Sequence, residues 1–310
     1  MLGNWKVLLA TGLAFGAIDL PARAAPTVAQ PGALNYVEGQ ARIGNQVVNS
    51  KSVGSTTLNQ GEVLSTTDGR AELLLTPGVF MRIGKNSAVR MDSPELTNTR
   101  VQVLRGEAMV EADVLHKEDH VLVAARGAIT ELEKKGIYAF DADRQAIHVY
   151  DGKATVRSGD ESVEVKKGRE VALNQPLKAE KFDRDAAAAA DPLYSWSKLR
   201  SEYLAEATAA TAQTYVVNGG GWYGPGWYWN RRWGMYSFVP GDPFFYSPFG
   251  WGLYSPVYFY RTPVFYRPVP GRIVITPRVQ APVMRSTPMP SPQMHSGAMM
   301  HSGAIMRGRR

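Results

Sequence analysis

The stretch GEVLSTTDGRAELLLTPGVFMRIGKNSAVRM, residues 61–91, decides the fold. It reads as short strands cut by turn residues at nearly even intervals. Asp68-Gly69 is a tight-turn dipeptide, because both residue types tolerate the positive φ of a two-residue hairpin. Beyond it Ala71, Leu73 and Leu75 share one face while Glu72 and Leu74 take the other, the period of a strand. Thr76-Pro77-Gly78 ends that run. Pro77 cannot donate to a ladder, and it pre-sets φ for a turn that Gly78 completes. Val79, Met81 and Ile83 form a second inward set with Arg82 facing out. Gly84-Lys85-Asn86 turns again, and Val89 with Met91 starts a third strand. The stretch contains no catalytic constellation.

The same pattern extends both ways. Residues 34–37, 40–43 and 46–48 are short strands around Glu38-Gly39 and Gly44-Asn45. Downstream, 101–104 and 107–111 flank Arg105-Gly106 as a hairpin-like pair, and 121–125, 137–140 and 147–150 follow. Asp151-Gly152 is the strongest hairpin signal in the chain. Residues 154–157, 162–166 and 169–173 close the series, the last two divided by Lys167-Gly168. The expected structural turns are therefore Gly69, Gly78, Gly106, Gly152 and Gly168. An all-β domain over residues 34–174 follows, either a sandwich or a solenoid in which each coil buries its inward row against its neighbours. The outward Lys, Arg, Asp and Glu residues read as a solvated face that guards the sheet edges.

The order G-E-x-L-x-T, D-G-R-A-E-L-x-L, P-G-V and R-I-G-K-N-S resembles the FecR domain, a bacterial extracytoplasmic β module. The likeness continues in VLRGEAMVE (103–111) and IHVYDGKATVRSGDESVEVKKGREVAL (147–173), and it covers about the middle half of the chain. The resemblance implies a short β-solenoid or β-roll and a non-enzymatic binding or signalling role. In FecR-type regulators the domain relays the state of a TonB-dependent receptor to a cytoplasmic sigma factor. Those regulators carry a sigma-binding domain ahead of a membrane span. Here the chain opens on an export segment, so the expectation is a stand-alone exported version.

That segment, residues 1–24, has Lys6, a mostly apolar run over 7–18 and the small-x-small pattern Ala22-Arg23-Ala24, which marks a cleaved secretory signal. An uncleaved anchor is the other reading, but a spanning helix needs about 20 apolar residues. The chain has no cysteine, hence no lipid-anchor site and no disulfide, which an oxidising compartment permits. The expected location is the periplasm, the cell envelope or outside, with no transmembrane span after cleavage. Residues 25–33 read as a linker and 175–191 as a charged, alanine-rich connector. Asp191 as N-cap with Pro192 behind it opens an amphipathic helix over 192–216. Leu193, Trp196, Leu199, Tyr203 and Ala207 fall on one stripe, expected to pack on the β domain, with a partner-binding helix as the alternative.

After Val217 the composition changes. Residues 217–266 are rich in Gly, Trp, Tyr and Pro and hold five of the seven tryptophans, and 267–310 form a basic Pro/Met/Arg-rich tail expected to be disordered. From residue 217 onward there are ten arginines, no lysine, one aspartate and no glutamate, a charge of +9 against +7 for the whole chain. Trp222, Trp227, Trp229, Arg231, Arg232, Trp233 and Trp251 are the partner-binding candidates. Such a segment meets an anionic polymer or an envelope protein by charge and stacking. The alternative is a structural envelope or surface component that self-associates through the segment. Specific nucleic-acid binding is not expected. Everything past Val217 is expected to be dispensable for folding.

Catalysis finds little support, and no cofactor is expected. His116-Lys117-Glu118-Asp119-His120 spaces two histidines by four, but a zinc hydrolase needs Glu beside the first His, or before the second in the inverted motif. Met294, His295, Met299, Met300, His301 and Met306 form a Cu(I)-type donor set that low complexity equally explains. No G-x-S-x-G occurs, and Gly219-Gly220-Gly221 opens no helix, so neither nucleophile elbow nor phosphate loop is present.

Overall fold

The computed structural model describes residues 29–217 and 222–261. The export segment, Gly219-Gly220-Gly221, the Met/His set at 294–306 and the tail expected to be disordered lie outside the described residues. Two sheets account for most of the β domain. The first has eight strands in the order Leu34–Glu38, Arg70–Thr76, Val79–Ile83, Glu107–Ala112, Gly136–Asp141, Ala146–Asp151, Arg169–Ala172 and Glu180–Lys181. The second has nine: Glu161–Lys166, Lys153–Ser158, Ala128–Leu132, His120–Ala125, Asn98–Arg105, Ala88–Glu95, Val63–Thr66, Ala41–Ile43 and Gln46–Val48. Their inward rows, among them Leu34, Leu73, Met81, Val103, Val123 and Val156, form one apolar core.

The chain alternates between the sheets. Along the first sheet its strands follow chain order, and along the second they do so with one local inversion. The molecule thus advances as a coil would, but the rungs are antiparallel, apart from the parallel pair Asn98–Arg105 with His120–Ala125. This is a mostly β architecture with no closed barrel, and the parallel coils of a regular solenoid are not what these pairings describe.

The alternation corrects the reading of three turns. Asp68-Gly69, Arg105-Gly106 and Asp151-Gly152 do not close hairpins within a sheet; each carries the chain from one sheet to the other, as does Lys167-Gly168. Gly78 alone of the five closes a hairpin, between Arg70–Thr76 and Val79–Ile83. Gly69 does not take a positive φ. A Cβ there would stand 2.6 Å from the Gln40 backbone, so close approach of two chain segments requires the glycine. Gly152 has φ +97°, and a Cβ there would also overlap the Tyr138 hydroxyl.

The connector holds a short helix, α1 (Arg184–Ala190), capped by Asp183, whose carboxylate accepts from the Asp185 and Ala186 amides. Asp191 caps α2 (Pro192–Val217) in the same way, accepting from Leu193 N at 2.7 Å and Tyr194 N at 3.1 Å. Helix α2 lies on the outer face of the first sheet, but only in part by the stripe expected, through Leu193, Trp196 and Ala207. Its buried face is Leu193, Trp196, Ser197, Arg200, Ser201, Leu204, Ala207 and Thr208, whereas Leu199 and Tyr203 remain 45% and 40% exposed. The cause lies in the sheet. Glu72, Arg82 and Glu111 occupy its outer face, and a buried charge needs polar partners, so α2 turns Arg200 and Ser201 inward.

Residues 222–261 are packed into the fold, although everything past Val217 is expected to be dispensable for it. Gly226–Asn230 and Met235–Val239 form a hairpin, Phe244–Tyr246 and Gly252–Tyr254 a second, and α3 (Pro256–Arg261) follows. Met235, Tyr236 and Phe238 are buried with Leu74 and Phe80 of the sheet and Leu204 and Ala207 of α2. Strands of three to five residues suit the density of Gly and Pro. They stay in place because they bury apolar surface that the sheet and α2 leave uncovered.

Candidate functional site: an aromatic cap on a buried charge network

Glu72 and Arg82 are cross-strand partners on adjacent strands of the first sheet, and Glu111 lies on the next strand. All three side chains are without solvent exposure or within 1% of it. Arg82 Nε donates to Glu72 Oε2 at 2.8 Å, and Arg82 Nη1 approaches Glu111 Oε2 at 2.8 Å, off the axis of a hydrogen bond. Glu72 Oε1 also accepts from Arg200 Nη2 at 3.0 Å and from Asn35 Nδ2 at 2.9 Å. Ser201 Oγ donates to Glu111 Oε1 at 2.6 Å, and the Arg200 guanidinium stacks 3.9 Å from the centre of the Tyr36 ring.

The network sets the protonation of its members. Burial pushes Glu72 up, but Arg200 and Arg82 more than offset it and hold its carboxyl below the usual range. Burial pulls Arg82 down, and Glu111 and Glu72 outweigh that and raise it. Asp113, buried just beyond Glu111, lies well above the carboxylate range because burial and the Glu111 charge outweigh Arg82.

The same residues position the cap. Asn35 accepts from the Tyr236 amide at 2.8 Å and donates to the Tyr236 carbonyl at 3.1 Å, so a side chain from the first strand imitates a strand partner. Thr208 Oγ1 donates to the Phe238 carbonyl at 2.8 Å, and Asn230 Nδ2 reaches the Ala207 carbonyl and Thr211 Oγ1. Asn230 Oδ1 accepts from the Arg232 and Trp233 amides, which closes the turn of the first hairpin. Arg231 and Arg232 project from that turn into solvent.

The partner-binding candidates therefore divide. Trp227, Trp229 and Trp233 are half-buried against the second apolar cluster, with Trp229 over Gly54 and edge-on to Tyr236 at 5.0 Å. Trp251 donates its indole N–H to the Lys198 carbonyl at 3.2 Å, and Trp222 is half-buried. Trp227, Trp229, Trp233 and Trp251 hold the cap to the domain. Outward groups are Arg231 and Arg232, with Tyr223 93%, Tyr246 57% and Tyr260 58% exposed. Trp233 lies 5.9 Å from Tyr203 of α2, so a half-open aromatic pair borders the arginine turn.

His120, at the start of its strand, pairs with Glu131 at 3.1 Å, and in the turn before it the His116 amide donates to Asp119. Among the described residues no group of three or more His, Cys, Asp or Glu is arranged to hold a metal. No helix among them is long and apolar enough to cross a membrane.

No protein-family model matches this chain, and no curated protein does. Two crystal structures of a proposed anti-sigma factor from Parabacteroides distasonis, at 2.50 and 1.65 Å resolution, are similar to part of it, each with 16% identity and a TM-score of 0.35. The alignments cover 41% of this chain and 62–63% of the other, so the chain spans less than two thirds of that protein.

Proposed function

We propose that the chain is an exported, non-enzymatic FecR-like binding module whose cap engages an anionic component of the cell envelope, a protein or a wall polymer. The observation that carries this reading is the arginine turn. Arg231 and Arg232 are exposed on a turn closed by Asn230, on a hairpin anchored to α2 and to Asn35. A turn whose backbone is already fixed presents its guanidinium groups to carboxylate or phosphate without the cost of ordering the loop. The neighbouring Trp233–Tyr203 pair and the exposed Tyr223 add ring surface of the kind enriched at interfaces. The coil-like advance of the strands supports the roll-like FecR description, and the export pattern of residues 1–24 supports an envelope location.

Co-sedimentation of the full chain with isolated envelope fractions tests the proposal. Wild type should bind, with binding weakened as salt rises, and the double variant Arg231→Glu/Arg232→Glu should lose most of it. If the charge-reversed protein is folded and binds as well as wild type, the reading is wrong. Crosslinks that form only a ladder of self-adducts would favour the structural, self-associating role instead.

A further inference from the structure

We propose that the Glu111–Asp113 carboxyl pair is a proton-operated latch that holds α2 and the aromatic cap on the first sheet and loosens them as the proton leaves. The geometry begins with charge. The space between sheet and cap holds the guanidinium groups of Arg82 and Arg200 and the carboxylates of Glu72 and Glu111, two of each sign. Asp113 is a third acid in the same row, 5% exposed, and its Oδ1 has no hydrogen-bond partner among the described residues. While Asp113 is protonated the buried charges balance. Once its proton passes to solvent, a further negative charge sits beside Glu111 in a buried site.

The groups that bear on Asp113 are Glu111 near the end of the strand just before it, Arg82 on the neighbouring strand and Lys135 from the turn before Gly136–Asp141. Helix α2 contributes the Ser201 hydroxyl to Glu111, and the second hairpin brings Ser247 to within 3.4 Å of Ser201. Glu72 and Arg200 lie one pair further along. The cations that bear on Asp113 are Arg82, already engaged by Glu72 and Glu111, and Lys135, whose effect is the weakest of the causes acting on it. The contact also carries other unmet polar atoms, Arg82 Nη2, Arg200 Nε and Ser197 Oγ. Such an interface is tight enough to order the cap and polar enough to part.

The direction follows from linkage. Asp113 ionises at higher pH in the docked protein than when exposed, as burial and Glu111 dictate. Docking then gains stability that is fully present below the ordinary carboxylate range and is lost as pH rises through the raised value, by up to about tenfold per pH unit. The experiment is hydrogen exchange on the full chain, read as protection factors at about pH 5 and about pH 9. Wild type should lose at least about tenfold protection in α2 and in Met235–Val239 at the higher pH, while His120–Ala125 of the second sheet changes little. Asp113→Asn should flatten that dependence. Should this variant not fold, Glu111→Gln serves, because removing the neighbouring negative charge moves the loss to lower pH. The proposal is overturned if cap protection in wild type is independent of pH, or if the folded variants keep the wild-type profile.

Discussion

Arg82 shows how far a local pattern reaches and where it stops. Alternation around it assigns Val79, Met81 and Ile83 to the core, and they are there. The same alternation assigns Glu72 and Arg82 to solvent, and both are fully buried. Nothing within residues 61–91 could say otherwise, because the cover comes from Arg200 and Tyr236, more than a hundred residues away. A buried pair is sensitive to losing one partner. Arg82→Met should cost about 3–5 kcal/mol in urea denaturation, since it leaves Glu111 buried without a cation and Glu72 with Arg200 alone. Glu72 adds a pH dependence. Its carboxyl is held low, so its contribution is present above the ordinary carboxylate range and lost as pH falls through the lowered value. Glu72→Gln should remove part of the acid-side loss seen between about pH 7 and about pH 3; an unchanged acid limb would show that Glu72 does not titrate in the network. At Gly152, a valine would combine a φ of +97° with overlap of the Tyr138 hydroxyl, and Gly152→Val should cost about 1–3 kcal/mol or more. A melting curve matching wild type would contradict that corner.

Among the elements, the turns and α2 were partly legible. Glycine in dipeptides such as Asp151-Gly152 marks where the chain bends, but a bend within a sheet and a corner between sheets use the same residue. Only the pairing of the flanking strands distinguishes them. In α2 the apolar residues define two overlapping stripes, and the sheet's carboxylates select the one containing Arg200. The two stripes make opposite predictions. Leu199→Lys should change stability by less than about 0.5 kcal/mol, whereas Arg200→Ala should cost about 3 kcal/mol or more. Equal losses at both positions would mean that α2 is rotated from this arrangement. Asn35→Ala should cost about 1–3 kcal/mol, because it removes two buried hydrogen bonds to the Tyr236 backbone and one to Glu72.

On the scale of the whole molecule, the regular β pattern ends where the sheets end, and composition takes over as the only signal. Gly, Pro and Trp density correctly limits strand length past Val217, yet it says nothing of docking. Docking depends on Asn35, Thr208 and Asn230 meeting backbone groups far away in sequence. The tryptophans that looked like ligand contacts are mostly the adhesive of the cap, and the arginines between them are what faces out. Hydrogen exchange across the full chain near neutral pH tests this arrangement most directly. The amides of Met235–Val239 should be protected together with α2, and Arg82→Met should release both while His120–Ala125 stays protected. Free exchange of Met235–Val239 in the wild-type protein, with both sheets protected, would contradict a cap built into the fold.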